Sequence, residues 1–463
     1  MQRRPANAMG RLRSRLDQGL FPSPPLGRST LGRGEAALLV LALLVLSVAL
    51  QLLRVGPSEA LDSLWAEDGQ IFLQGALTGS FWDTVFSPYA GYLVLAPRLI
   101  GEAGALVALP DAAAAIALAS GVVVALSGLA VWVAAAGHIR DPYLRGTLVA
   151  LTVLAPVAGL ESVVSGSYVL WYMLFGSFWL LLWRPMTTRG AVLGALFLLA
   201  TGLSTPGVWF FAPLALLRAL AARDRRDMLI VGAYATGAAI QVPVIASNSA
   251  EAVSPYWTHE IWTAYVQRVV DGAALGERLG GEAWAALGWT FLAVLLLVLV
   301  AGLVLGLRRT AAPGRYLAAI ALPTSLLMFV ASTYQRSVGP QMVWPDGAHF
   351  GNGGRYAIVP ALLLVGVALA LIDGTARRRG ATRLPSAGPA AIAVLLVGLA
   401  ISFDVRDPAA RGTPPWRRAL DDAAVFCEAE GVTEARVSTS PPGFGVIVAC
   451  DRLPAHSDAS STR

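Results

Sequence analysis

Eleven apolar runs, rich in Leu, Val and Ala and recurring between residues 36 and 402, constrain this chain more than any other feature. They cover 36–53, 113–136, 146–158, 168–183, 191–202, 207–221, 228–246, 286–307, 316–331, 355–372 and 389–402. Continuous runs such as Ala36 to Leu53 and Phe291 to Leu307 exclude a transmembrane β-barrel, whose strands alternate in polarity over about ten residues. With 56% hydrophobic and 14% charged residues the chain also lies far from ordinary soluble domains, which carry about 25% charge. The expected fold is an all-α polytopic membrane protein with about 11 transmembrane helices. Runs 146–158, 191–202 and 207–221 are shorter than the roughly 20 residues a lone span needs, so they are expected to end inside the protein beside a cavity.

The charges orient this path. All 35 basic residues are Arg, and the net charge of +6 describes sidedness rather than a nucleic-acid partner. With the N-terminus in the cytoplasm, segments 1–34, 137–145, 184–190, 218–227, 308–315 and 374–388 fall inside and hold 22 Arg, while 23 of the 29 acids fall outside. Short loops obey this positive-inside bias best. Treating Tyr89 to Leu109 as a further span would throw the Arg223, Arg225 and Arg226 group outside. That stretch, with Arg98 and Glu102 at its centre, is therefore expected to lie in the interface or to re-enter the membrane, with a conventional span as the alternative. The expected organisation is a cytoplasmic Arg-rich tail (1–34), a transmembrane domain (35–402) with a first outer loop (54–112), and an extracytoplasmic appendage (403–463). The long Arg-rich segment before the first run argues for a retained anchor rather than a cleaved signal peptide.

The last segment differs in kind. An amphipathic stretch from Trp416 to Ala429 precedes an alternating Val437 to Val448 region broken by Pro441, Pro442 and Gly443, which reads as a small α+β unit. Both cysteines, Cys427 and Cys450, lie there. Outside the cell they are expected to pair, closing a loop of about two dozen residues and stabilising by roughly 3 kcal/mol; two buried thiols are the alternative.

Several polar constellations could carry chemistry. Leu64 to Gln74 places the adjacent carboxylates Glu67 and Asp68 about ten residues beyond the first run. Trp65, Ile71 and Phe72 would seat this segment in the interface, and Gly69 would permit a turn, so that a carboxylate could take a proton from a sugar hydroxyl. A solvated loop with Asp68 as a helix N-cap is the competing reading. Ser87 to Arg98 brings Tyr89, Tyr92 and a cation suited to phosphate, unless Arg98 pairs with Glu102 one turn on. Glu161, in the stretch running to Tyr172, and Ser204 with Thr205, at the tip of Leu203 to Trp209, could line a cavity; a plain helix–helix turn would explain the tip equally well. The Gly-rich stretch Trp344 to Tyr356 ends in Arg355 and Tyr356, which could bind phosphate or, for Arg355, merely snorkel. His259 and His349 lack metal-ligand spacing, so no metal is expected.

In this combination the chain resembles the C-type (GT-C) superfamily of polytopic glycosyltransferases. The wording Ala-Glu-Asp-Gly (66–69), Ser-Pro-Tyr-Ala-Gly-Tyr (87–92) and Gly-Gly-Arg-Tyr (353–356) is similar to an actinobacterial-type branch of it. The resemblance implies a sugar donor carried on polyprenyl phosphate, an inverting transfer on the outer face of the cytoplasmic membrane, and a glycan, lipid or protein acceptor. It places Asp68, with Glu67 beside it, on the acidic motif of the first outer loop as general base. It makes Arg98 and Arg355 phosphate clamps. A transporter or flippase of lipid-linked sugars, or a non-catalytic envelope-assembly protein, is the alternative. Scarce intramembrane acids and the lack of an inverted hydropathy repeat weigh against transport.

Overall fold

A computed structural model describes residues 8–24, 32–248, 257–336, 338, 342–343, 354–378, 387–405 and 414–453. All eleven apolar runs form helices. Six helical segments are long and apolar enough to cross a membrane: Gly34–Val55, Leu109–Gly137, Arg225–Ser247, Glu260–Arg309, Ala312–Gln335 and Arg355–Arg378. The other five, Pro142–Leu154, Gly166–Leu182, Thr188–Gly202, Pro206–Ala221 and Gly388–Ile401, are 10–17 residues long. The segment Glu260–Arg309 would run about 75 Å if straight. It is instead broken at Gly276 and Gly288, where φ is +79° and +55°, values that only glycine adopts readily.

Short helices leave end carbonyls that must find donors in the protein. Arg54, fully buried at the end of Gly34–Val55, supplies several. Its guanidinium donates to the carbonyls of Leu154, Ala158, Ser402 and Phe403, joining the ends of Pro142–Leu154 and Gly388–Ile401. The tip at Leu203 is closed similarly: Gln241 Nε2 donates to Gly202 O at 2.9 Å, and Leu95 N to Leu203 O at 3.1 Å. At Gly202 the helix touches Arg225–Ser247 backbone to backbone, since a Cβ there would lie 2.8 Å from Gly237 Cα. Such close contact between small residues is a common way for apolar helices to pack.

The Arg-rich segments meet at one end of the molecule. The helix Ala8–Gly19 is folded against that end instead of trailing as a solvated tail, because Leu16, Leu20 and Phe21 bury there. Asp17 pairs with Arg184 and Arg223, and Arg184 donates to Phe21 O. Asp373 accepts the amides of Arg140 and Asp141, Arg377 donates to His138 O, and Arg378 to Arg308 O. Arg355 lies 18 residues before Asp373 on one helix, hence about 27 Å away, so the polar groups around Arg355 belong to the opposite end.

The C-terminal unit packs the helix Trp416–Cys427 on an antiparallel pair, β1 (Glu434–Thr439) and β2 (Phe444–Ala449). Trp416, Leu420, Val437, Val446 and Val448 form its core, and Cys427 is bonded to Cys450. The unit is joined to the segment bearing Glu67. Leu64 O accepts from Ser440 N, Ser440 O accepts from Ala66 N, and the Gln74 side-chain amide exchanges two hydrogen bonds with Ile447, in place of a neighbouring strand on β2. Asp62 O and Leu109 O accept from the Trp416 backbone and indole N–H groups.

Candidate functional site

Glu67 and Asp68 lead into a single π-helical turn, Asp68–Leu73, a rare conformation often found at functional sites. The turn is held against the C-terminal unit. A Cβ on Gly69 would stand 2.8 Å from Thr439 Cγ2 and 3.2 Å from Val446 Cγ2, so this glycine serves close packing rather than the expected turn. The positive φ falls one step earlier, on Ala66 at +34°. Phe72 is buried in the protein instead of seating the loop in the interface.

The two carboxylates have different surroundings. Asp68 is buried and accepts from Gly166 N (3.0 Å), Ser167 N (2.7 Å) and Ser167 Oγ (2.5 Å). It thus caps the turn that starts Gly166–Leu182, not the helix it begins itself, because the partner amides come from a distant loop. Burial pushes its carboxyl up to about 6; its serine hydrogen bonds oppose the rise, and the neighbouring charge of Glu67 adds to it. Glu67 is half-buried and, among the described residues, receives only two long hydrogen bonds, from Tyr168 Oη at 3.3 Å and Tyr89 Oη at 3.5 Å. Burial first, and then the charge of Glu67, push the Tyr89 hydroxyl up to about 12, so it remains a proton donor to that carboxylate.

Arg355 completes the cluster. It holds Glu161 at 2.6 Å, donates to Tyr168 Oη at 3.3 Å, and lies 4.9 Å from the ring centroids of both Tyr168 and Tyr356. Residues 67, 89, 161, 168, 355 and 356 are therefore one connected set. All four non-glycine residues with positive φ among the described residues (Ala66, Ala90, Ala155 and Val164) lie in the loops that carry this set or lead into it. Backbone strain concentrated in this way is typical of sites held in a required geometry.

Other expected residues do different work. Arg98 donates to Ile71 O at 3.0 Å and lies 5.4 Å from the Phe72 ring centroid, and among the described residues it forms no ion pair with Glu102. Its helix, Leu95–Ala105, spans 11 residues and about 16 Å, too short to cross a membrane. Ser204 and Thr205 are buried and serve as joints: Ser204 accepts Ala96 N and donates to Ala200 O, while Thr205 caps Pro206–Phe211. The stretch Trp344 to Gly353, with His349, lies outside the described residues. His259 is exposed beside Glu260. Tyr168 was not singled out from the sequence, although it sits within the polar-aromatic stretch that follows Glu161. Arg268 and Glu277 form a buried ion pair whose Arg lies in the field of Glu161, and nothing in their sequence context signals it.

No family model matches the chain, and no curated protein matches it. Among solved structures it is similar to the oligosaccharyltransferase of Archaeoglobus fulgidus. The complex with Zn and sulfate is 13% identical with a TM-score of 0.40, over 85% of this chain and 55% of that one. The form tethered by a disulfide to an acceptor peptide containing the NVT sequon is 14% identical with a TM-score of 0.41, over 85% and 57%. The chain thus spans little more than half the length of those proteins.

The cluster can hold a carboxylate ready to accept a proton, because Glu67 keeps unused acceptor capacity while both its partners are hydroxyl donors. Arg355 supplies a fixed positive charge that Glu161 already balances. Among the described residues no group of three or more His, Cys, Asp or Glu side chains is placed to hold a metal ion.

Proposed function

We propose that this protein is a membrane glycosyltransferase that moves a sugar from a polyprenyl-phosphate carrier to an envelope acceptor on the outer face of the cytoplasmic membrane, with Glu67 as general base. Its N-terminus is then cytoplasmic and its C-terminal unit extracytoplasmic, in keeping with the gathering of Arg-rich segments at the end away from Glu67. The observation that carries this reading is the division of labour in the acidic pair: Asp68 is committed to three donors, and Glu67 is not.

In the proposed step an acceptor hydroxyl attacks the anomeric carbon while Glu67 takes its proton. The new bond to the acceptor oxygen forms as the bond from the anomeric carbon to the phosphate oxygen breaks, and the carrier leaves as polyprenyl phosphate with that electron pair. The configuration at the anomeric carbon inverts. Tyr89 and Tyr168 orient the carboxylate, and Asp68 holds the Gly166–Tyr168 turn that presents Tyr168.

Release of polyprenyl phosphate from a sugar-loaded carrier by the purified protein in liposomes tests the reading. Glu67→Gln should lower release by about 10²–10⁴-fold without changing thermal stability, the range for a general base. Undiminished release in that variant sinks the assignment of the base. Carrier scrambling across the bilayer with no release by the wild type would favour transport instead.

A further inference from the structure

The sheet of the C-terminal unit has two outer edges, and they are not covered alike. Along a strand, the backbone N–H and C=O groups of alternate residues turn to opposite sides. Thr433 O accepts Cys450 N on the β2 side, whereas Ser440 turns away from β2, donating to Leu64 O and accepting from Ala66 N. Residues 435, 437 and 439 of β1 therefore face β2, and Glu434, Arg436 and Ser438 turn outward with Ser440. On β2 the Gln74 side chain occupies the edge at Ile447. On β1 the cover given by Leu64–Ala66 stops at Ser440, and among the described residues no backbone group pairs with the outward groups of Glu434, Arg436 or Ser438. Beside this open run lies a groove of about 220 Å³ whose lining includes Ala419, Ala423, Phe426 and Ala435. Phe426 stands there 60% exposed, although its helix builds the core of the unit.

We propose that this edge pairs with the same edge of a second copy of the chain, making one four-stranded sheet across a two-fold dimer. In such a contact residue i meets j and j meets i, so the two strands run antiparallel and only the register has to be chosen. Charge and the occupied end of the strand choose it. Centred on Glu434 or Arg436, the pairing sets that residue opposite its own copy, like charge against like, which destabilises. Centred on Val437, Ser438 or Thr439, it calls on the outward groups of Ser440, which already hold Leu64 and Ala66. Centred on Ala435, it sets Glu434 opposite the partner's Arg436 and Arg436 opposite the partner's Glu434. Both residues turn outward, so each of these pairs exchanges two backbone hydrogen bonds while its side chains bring opposite charges together. Both side chains are exposed, and Arg436 donates one N–H to Gly443 O, leaving others for a carboxylate. At the centre Ala435 meets the partner's Ala435 with only methyl groups between them. The grooves of the two copies, each with its Phe426, meet on the helix side of the joined sheet.

Cross-linking of the full chain in detergent tests this. In the proposed register Ala435 and its copy form a pair without backbone hydrogen bonds, their Cα atoms about 4.5 Å apart, within reach of a disulfide. Ala435→Cys should therefore oxidise to a covalent dimer on a non-reducing gel, with Cys427–Cys450 intact. Ser438→Cys, about 20 Å from its copy, should remain a single chain. Glu434→Arg and Arg436→Glu should each weaken dimerisation about tenfold or more in light scattering, with unchanged circular dichroism, and the double variant should restore it. Undiminished dimers in both single variants, a double variant that stays monomeric, or Ser438→Cys cross-linking as readily as Ala435→Cys overturns the inference. A monomeric wild type overturns it too: slow hydrogen exchange at Glu434, Arg436 and Ser438 would then mean that the chain covers its own edge, and fast exchange that the edge is left to a foreign strand.

Discussion

Two arginine–carboxylate networks lie at opposite ends of this protein and are built on opposite principles. In the Arg-rich end, Asp227 receives Arg184 and Arg218, each at 2.6 Å, as well as the Arg223 amide at 2.9 Å. Asp17 receives Arg184 and Arg223, and Phe21 lies against two of the guanidinium groups. Both acids in that network are paired with two arginines, and its centre is buried. At the other end the Glu67 carboxylate has, among the described residues, two long contacts, and the backbone is strained at Ala66, Ala90 and Val164. A saturated network joins elements together. An unsaturated one retains capacity for something that is not part of the chain.

The comparison can be broken at its strongest point first. Asp227→Ala would leave Arg184 and Arg218 buried without their shared partner, and should destabilise by about 3–5 kcal/mol in thermal unfolding of the detergent-solubilised protein. Glu67→Gln should instead leave unfolding unchanged and act only on carrier release; equal thermal losses in the two variants would erase the distinction. Between them lies the disulfide. Replacing Cys427 and Cys450 by Ser should cost about 3 kcal/mol, seen as earlier unfolding of the C-terminal unit, and should lower activity because that unit packs on the Asp68–Leu73 turn.

Asp68 sharpens the contrast through pH. Its folded-state carboxyl titrates near 6, above the ordinary 3.8, so the folded state binds this proton more tightly than the unfolded state does. The contribution of Asp68 to stability therefore falls as pH rises from about 4 through about 6. The stability advantage of wild type over Asp68→Asn should be larger at about pH 4.5 than at about pH 7.5. A constant gap would mean that Asp68 titrates alike in both states. The smallest effect is expected from Tyr89→Phe, which removes one long hydrogen bond and should reduce release by about two- to tenfold.

Much of the fold was legible because it follows from local composition. Continuous Leu, Val and Ala runs have one way to satisfy their backbone in lipid, and every one of them is helical. The adjacency of Glu67 and Asp68, the aromatic stretch through Tyr89 and Tyr92, and the Cys427–Cys450 pairing were likewise open to a linear reading. Which carboxylate is committed to backbone and serine donors was not. Gly166 and Ser167, almost a hundred residues on, decide that by occupying Asp68. Arg54 looks like an interface anchor at the end of its helix, yet it is wholly buried on carbonyls from two other helices. Ser204 reads as a polar tip residue, but its neighbour Ala96 turns it into a joint.

By itself, the sequence determined that this chain lives in a membrane, which segments are helical, and which ends of those helices are basic. Hydrophobic transfer and backbone hydrogen bonding act on each segment separately, so their outcome is written locally. Only the tertiary structure decided which polar groups are used up and which remain available. Hydrogen-bond saturation depends on partners brought from distant parts of the chain, and in a protein with so few charges each such pairing settles what the remaining groups can do.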